Sequence, residues 1–197
     1  MFGPSREEIW RQFCAQTGYS YVDGGFWKSD KVEATHGQWT VTLDLYVVSN
    51  GKSSVTYTRM RAPYVNPDGF RFTVYRKGIL TELGKWFGMQ DVIVGFEEFD
   101  RDFVIKGNDE QKLRRLFSSQ KIRELVAAQP EIRFSVKDDD GKLWDNFPEG
   151  VDELHFQVVG VIKDLERLKL LYELFAETLD ELCRMGSAYQ QTPPVKL

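Results

Sequence analysis

The chain has 197 residues, 42% hydrophobic and 14% aromatic, which is enough to bury one sizeable core. Its 26 basic and 30 acidic residues leave a net charge of −4, which lacks the phosphate-neutralising surplus of a general nucleic-acid binder. The two cysteines, Cys14 and Cys183, lie far apart and form no C-x-x-C pair, so no zinc site, redox pair or other metal centre is expected.

In chain order, Ser5 followed by Glu8 reads as a capping box, and Ile9, Trp10, Phe13 and Cys14 then recur at helical spacing until Gly18. From Trp39 to Val48 the chain alternates: Val41, Leu43, Leu45 and Val47 share one face, and Thr40, Thr42, Asp44 and Tyr46 the other. Ser49-Asn50-Gly51-Lys52 turns it, and a strand over residues 54–62 is expected to close a hairpin. Pro67-Asp68-Gly69 is a second turn, followed by the alternating Phe70, Phe72 and Val74. Ile79, Leu80, Leu83, Trp86 and Phe87 fit a short helical face that Gly88 stops.

The stretch from Phe99 to Phe117 reads as strand, turn, cap and helix, with Phe103 and Ile105 pointing one way, Gly107 turning the chain and Asn108 capping. Two short helices are expected, over residues 109–117 and 120–128, the second capped by Ser118 or Ser119 and stopped by Pro130. Ile132, Phe134 and Val136 mark a strand. Asp138-Asp139-Asp140-Gly141 marks a hairpin turn, with Leu143-Trp144 starting its partner, and Leu154, Phe156 and Val158 mark the last strand. Leu165, Leu168, Leu171, Tyr172, Phe175, Leu179 and Leu182 then describe a long amphipathic helix over residues 163–184. The reading is an α+β fold: an antiparallel β-sheet covered by an N-terminal helix, a central helix pair and a long C-terminal helix. Residues 1–185 are expected to form a single domain and residues 186–197 a flexible tail. With no apolar leader and no run of about 18 apolar residues, neither export nor membrane spanning is expected, and the location is read as cytoplasmic.

Catalytic and cofactor templates fail one by one. Aligning Gly141 to the glycine of a calcium loop puts Val136 and Phe147 where carboxylates are needed. Gly78, Gly84 and Gly88 make no phosphate-binding loop, and no nucleophile elbow accompanies His36 or His155, so no catalytic residue and no cofactor are assigned. His155 is opposite in phase to Leu154 and Phe156 and reads as a solvent-facing or sheet-edge imidazole. One constellation suggests binding. Arg59 and Arg61 share a strand face, Arg71 and Arg76 follow on the next strand in sequence, and Tyr57 and Tyr75 lie among them. If those strands are neighbours, Arg59, Arg61 and Arg71 with Tyr57 could share one oxyanion; the plainer reading is a solvated face neutralised by acids.

The segments Gly69-Phe70-Arg71-Phe72, Glu98-Phe99-Asp100 with Phe103-Val104-Ile105-Lys106-Gly107-Asn108-Asp109, and Lys121-Ile122-Arg123-Glu124-Leu125 resemble a bacterial family of uncharacterised domains. That family carries a "GxxF" strand, an "EFDxxFxVxxxD" signature, a helix pair and a closing helix, and the resemblance covers roughly residues 55–183. Its members often carry membrane-spanning segments before the domain, which are not expected here. The resemblance implies a coherent fold and no catalytic residue.

The sequence therefore reads as a non-enzymatic binding or scaffolding module for an anionic ligand or a protein partner. Two alternatives stand beside it. A small hydrolase would need a histidine within about 3.2 Å of a nucleophile, and a lipid or small apolar ligand carrier would need a closed cavity lined by Phe and Trp.

Overall fold

The computed structural model describes residues 4–25, 29–49, 51–78, 89–138, 147–195 and 197. In chain order the elements are α1 (Arg6–Thr17), β1 (Ser20–Val22), β2 (Lys31–His36), β3 (Trp39–Ser49), β4 (Ser54–Val65), β5 (Phe72–Arg76), β6 (Gln90–Asp91), α2 (Glu97–Asp102), β7 (Phe103–Gly107), α3 (Glu110–Leu116), α4 (Gln120–Ala127), β8 (Arg133–Lys137), β9 (Val151–Val159) and α5 (Leu165–Arg184). The strands form one nine-stranded sheet in the order β1-β2-β3-β4-β9-β8-β5-β7-β6. Every neighbouring pair is antiparallel. The α+β architecture read from the sequence is the one observed.

Register explains how the sheet separates its faces. Val32, Leu43, Met60, Phe156, Phe134, Val74 and Ile105 are successive Cα partners across seven strands, so one apolar row crosses most of the sheet. The helices cover this face. Phe175 of α5 meets Phe134 edge-on at 5.4 Å, Phe117 after α3 meets Phe72 at 6.1 Å, and Phe13 of α1 meets Tyr172 of α5 at 5.4 Å. Ile122, Leu125 and Val126 bury the inner face of α4 in the same cluster. No helix among the described residues is long and apolar enough to cross a membrane.

Local chemistry matches the expected caps in most places. Ser5 and Glu8 form the reciprocal capping box of α1, and Gly18 ends the helix at φ +76°. Ser119 caps α4 by accepting from the Ile122 amide. Asn108 does something other than cap. Asp109 caps α3, accepting from the Lys112 amide, while Asn108 accepts from the Arg71 amide at 2.9 Å and donates to the Gly69 carbonyl at 2.8 Å, tying the turn before β5 to the end of β7. Residues 99–102 are also not strand. They belong to α2, whose start is held by the Asp100 carboxylate accepting from the amides of Val94, Gly95 and Phe96 at 2.9, 2.8 and 2.9 Å. Strands β1 and β6, of three and two residues, are too short for alternation to announce them, and the six residues of β2 carry only Val32 and Ala34 as an apolar alternation.

After α5 the chain packs back at its base. Ser187 and Ala188 are buried, the Ser187 hydroxyl donates to Asp68, and the Tyr189 amide donates to the Val65 carbonyl. The expected helix over residues 79–87 and most of the hairpin expected around residues 138–144 lie outside the described residues.

Candidate site on the polar face of the sheet

One register step from the apolar row, strand period two places a second row: Ser20, Glu33, Thr42, Arg61, His155, Ser135, Thr73, Lys106 and Asp91 are successive Cα partners across all nine strands. Every member is polar. An exposed sheet face would explain such a row, yet its centre is buried: Arg61 is 8% exposed, His155 3% and Ser135 0%. Thr42 and Thr73 on either side are buried as well.

Arg59 and Arg61, two residues apart on β4, converge on one carboxylate from β3. Arg59 donates through Nε and Nη2 to the two oxygens of Asp44, both at 2.8 Å, and Arg61 Nη2 donates to Asp44 Oδ2 at 2.7 Å. Asp44 is the Cα partner of Arg59, so the fork follows directly from the β3–β4 register. The Arg59 guanidinium also lies 4.9 Å over the Tyr46 ring, and Tyr46 pairs with Tyr57 at 6.5 Å between rings. Arg61 Nη1 lies 3.9 Å from Glu153 on β9.

Three buried side-chain atoms in this row have no hydrogen-bond partner: Arg61 Nε, His155 Nδ1 and Ser135 Oγ. They belong to three neighbouring strands, with Arg61 and Ser135 flanking His155. Burial pushes the His155 imidazole well below its ordinary pKa of 6.5, and the positive charges of Lys137, Arg59, Arg61 and Arg133 push it the same way. The ring is neutral at pH 7.

The remaining sequence candidates fall elsewhere. Strands β9 and β8 stand between β4 and β5, so Arg71 does not converge with Arg59 and Arg61. The premise of adjacent strands fails because β4 pairs with a strand some ninety residues later rather than with its successor in sequence. Arg71 sits beyond the strand ends, on Asp152 at 3.2 Å and Asp138 at 2.7 Å. Arg76 donates to the Ala127 and Gln129 carbonyls and covers the Phe103 ring at 4.6 Å. His155 has the expected phase but not the expected exposure, since β9 is a central strand. His36 pairs with Asp180 at 2.9 Å, on the far side of β2 from this row. Alternation made Arg59, Arg61 and Tyr57 visible in the sequence. Asp44, His155 and Ser135 join them only through long-range register.

A separate open groove of about 450 Å³ lies between α2 and α4, lined by Phe96, Phe99, Phe103 and Arg123 together with Glu97 and Glu124. The Arg123 guanidinium sits 3.4 Å from the Phe96 ring centre. Its charged rim and openness differ from the closed aromatic cavity that an apolar-ligand carrier calls for. Among the described residues no group of three or more His, Cys, Asp or Glu could hold a metal ion.

No family model matches the chain, and no curated protein matches its sequence. Among solved structures, the crystal structure of the mycobacterial trehalose monomycolate transport factor A matches 97% of this chain and 98% of its own, with a TM-score of 0.54 and 9% sequence identity. At that identity the likeness is one of fold: the two chains share an architecture along nearly their whole lengths.

Proposed function

We propose that this chain is a non-enzymatic binding module that receives an anionic group, a carboxylate or phosphate of a ligand, on the polar face of its sheet. One observation carries the reading: Arg61 Nε, His155 Nδ1 and Ser135 Oγ are buried, neighbouring and unpartnered. Leaving buried polar atoms unmatched costs roughly 1–3 kcal/mol each, so a fold that concentrates three of them side by side favours an occupant that satisfies them. Asp44 supplies the internal precedent, since two guanidiniums already share its carboxylate. The atoms have almost no exposed surface, so a ligand reaches them only as the surrounding side chains part. The fold-level neighbour is named as a transport factor, which supports a binding or transport-associated role.

Calorimetric titration with phosphate and with sulfate at low ionic strength tests this. Asp44→Asn removes the competing carboxylate and is expected to raise anion affinity about tenfold, equivalent to about 1.4 kcal/mol. Ser135→Ala is expected to weaken it, and Arg71→Ala to leave it unchanged. Failure of both the natural chain and a folded Asp44→Asn variant to bind either anion would reduce the row to an internal structural network.

One observation favours a hydrolase as the second reading: Ser135 and His155 are direct cross-strand partners, a hydroxyl beside an imidazole. Nucleophilic attack needs a hydrogen bond between them, with the imidazole as acceptor, and Ser135 Oγ makes none here, so this reading requires the pair to close. Turnover of a p-nitrophenyl ester that disappears in both Ser135→Ala and His155→Gln would favour that reading over the binding module.

A further inference from the structure

Seven large hydrophobic side chains among the described residues are exposed, and five of them gather at one end of the sheet: Val47, Val48, Val55, Val159 and Val161. The backbone explains the clustering. Val48 and Val55 are Cα partners next to the β3–β4 turn, and Val47 pairs with Thr56 one rung behind. Beyond β9 the chain folds alongside β4, with the Gly160 amide donating to the Thr56 carbonyl at 2.8 Å, which brings Val159 and Val161 to the same end. Val47 and Val159 are more than half exposed, at 55% and 62%. Val47 has the phase of the helix-covered face and Val48 that of the polar face, so the apolar surface wraps the sheet end.

Two further features accompany it. Tyr46 and Tyr57, Cα partners, stand one rung behind Val47 and two behind Val48, half-exposed, as an aromatic collar behind an aliphatic tip. Residues 45–58 and 154–163 carry no Asp or Glu in a chain with 30 acids, and they carry Lys52 and Lys163. Lys163 donates to the Pro4 carbonyl at 3.2 Å.

We infer that this end of the sheet, built from the β3–β4 hairpin and residues 159–161, is a docking surface for an anionic lipid bilayer. Valines at the tip enter the headgroup and acyl boundary, tyrosines sit at headgroup level, and the acid-free, lysine-bearing flanks meet negative lipid. This is the depth order that interfacial segments follow. An acidic protein surface would match the lysines but would leave five valines without an apolar counterpart. The inference is independent of the anion site, whose unpartnered atoms lie on β4, β9 and β8 several residues from the tip.

Flotation of the full chain with vesicles of equal parts phosphatidylglycerol and phosphatidylcholine tests it, against vesicles of phosphatidylcholine alone. The chain is expected to float with the anionic vesicles, to float poorly with the neutral ones, and to lose binding as salt is raised. Val48→Ser with Val55→Ser is expected to lower the bound fraction about tenfold while circular dichroism stays unchanged; Lys52→Glu is expected to lower it severalfold. Ile93→Ser, at a more exposed apolar residue just after the edge strand β6 and away from this end, is expected to bind as the natural chain does. Absence of flotation with anionic vesicles would overturn the inference, as would equal flotation of the double valine variant. Light scattering that shows a dimer dissolved by the valine substitutions would overturn it in favour of a second copy of this chain.

Discussion

Asp100 is a single carboxylate holding three consecutive backbone amides, those of Val94, Gly95 and Phe96. The position matters because α2 has only six residues and its N-cap, Phe96, offers no side-chain acceptor. A helix that short does not persist on its own propensity; it needs its free amides satisfied from outside. Charge-assisted bonds to amides are among the stronger ones available to a fold, and the acid also lies where the helix dipole favours it. Removing the carboxylate is therefore expected to cost more than an ordinary cap. Asp100→Ala should lower unfolding free energy by about 2–3 kcal/mol, read from urea denaturation. Asp100→Asn, which keeps one acceptor oxygen, should fall between. The sequence singled out Asp100 through the Glu98-Phe99-Asp100 signature. Its role as an amide clamp depended on the backbone of residues 94–96 bending around it.

Among the elements, the junction of β5, β7 and α3 shows how much local sequence conveys. Gly107 reads as a turn glycine, and it ends β7, but the structure gives a sharper reason for it. A Cβ there would lie 2.6 Å from Leu113 Cδ1 and 2.9 Å from the Arg71 carbonyl oxygen. The leucine could rotate away, whereas the carbonyl belongs to the backbone that Asn108 fixes through both its amide atoms. Gly107→Ala is thus expected to destabilise by about 1–3 kcal/mol, the range for overpacking a fixed site. A thermal melt would show it. An unchanged midpoint would mean that the 69–71 turn can move. Legibility follows the same division. Alternation and capping made β3, β4, β7, β8, α1, α3, α4 and α5 readable because the needed information lies within each segment. The order of strands did not follow, because β4 finds its second neighbour in β9, across the whole middle of the chain, and nothing local to residues 54–65 encodes that choice. The expected cluster of Arg59, Arg61 and Arg71 failed for this reason, and the row joining Arg61, His155 and Ser135 stayed hidden for the same one.

At the scale of the molecule, a sheet with one apolar and one polar face usually leaves the polar face wet. Here the centre of that face is buried, and a neutral imidazole lies in it. The consequence is a pH dependence carried by the whole fold. Burial first, and then the charges of Lys137 and Arg133 on β8 and of Arg59 and Arg61 on β4, hold the folded-state pKa of His155 well below its ordinary 6.5. Asp44 on β3 and Glu153 on β9 are the acids on the same face, both against Arg61, and they do not reverse the direction. Below pH 6.5 the unfolded chain takes up a proton that the folded chain refuses. Unfolding is then favoured by up to about 1.4 kcal/mol per pH unit for one such group. The stability is complete above pH 6.5 and is lost progressively as pH falls toward the depressed folded value. A separate loss belongs to Asp30, whose carboxyl is held below its ordinary 3.8 mainly by the hydrogen bond from Tyr21, and it sets in only below about pH 4. Urea midpoints measured between pH 7.5 and 4.5 should therefore fall in the natural chain and stay nearly flat in His155→Gln. The two proteins should then decline together in more acid solution. Equal slopes for the two between pH 6.5 and 4.5 would mean that His155 reaches solvent and takes its proton in the folded state, and the buried centre of the polar face would be lost with it.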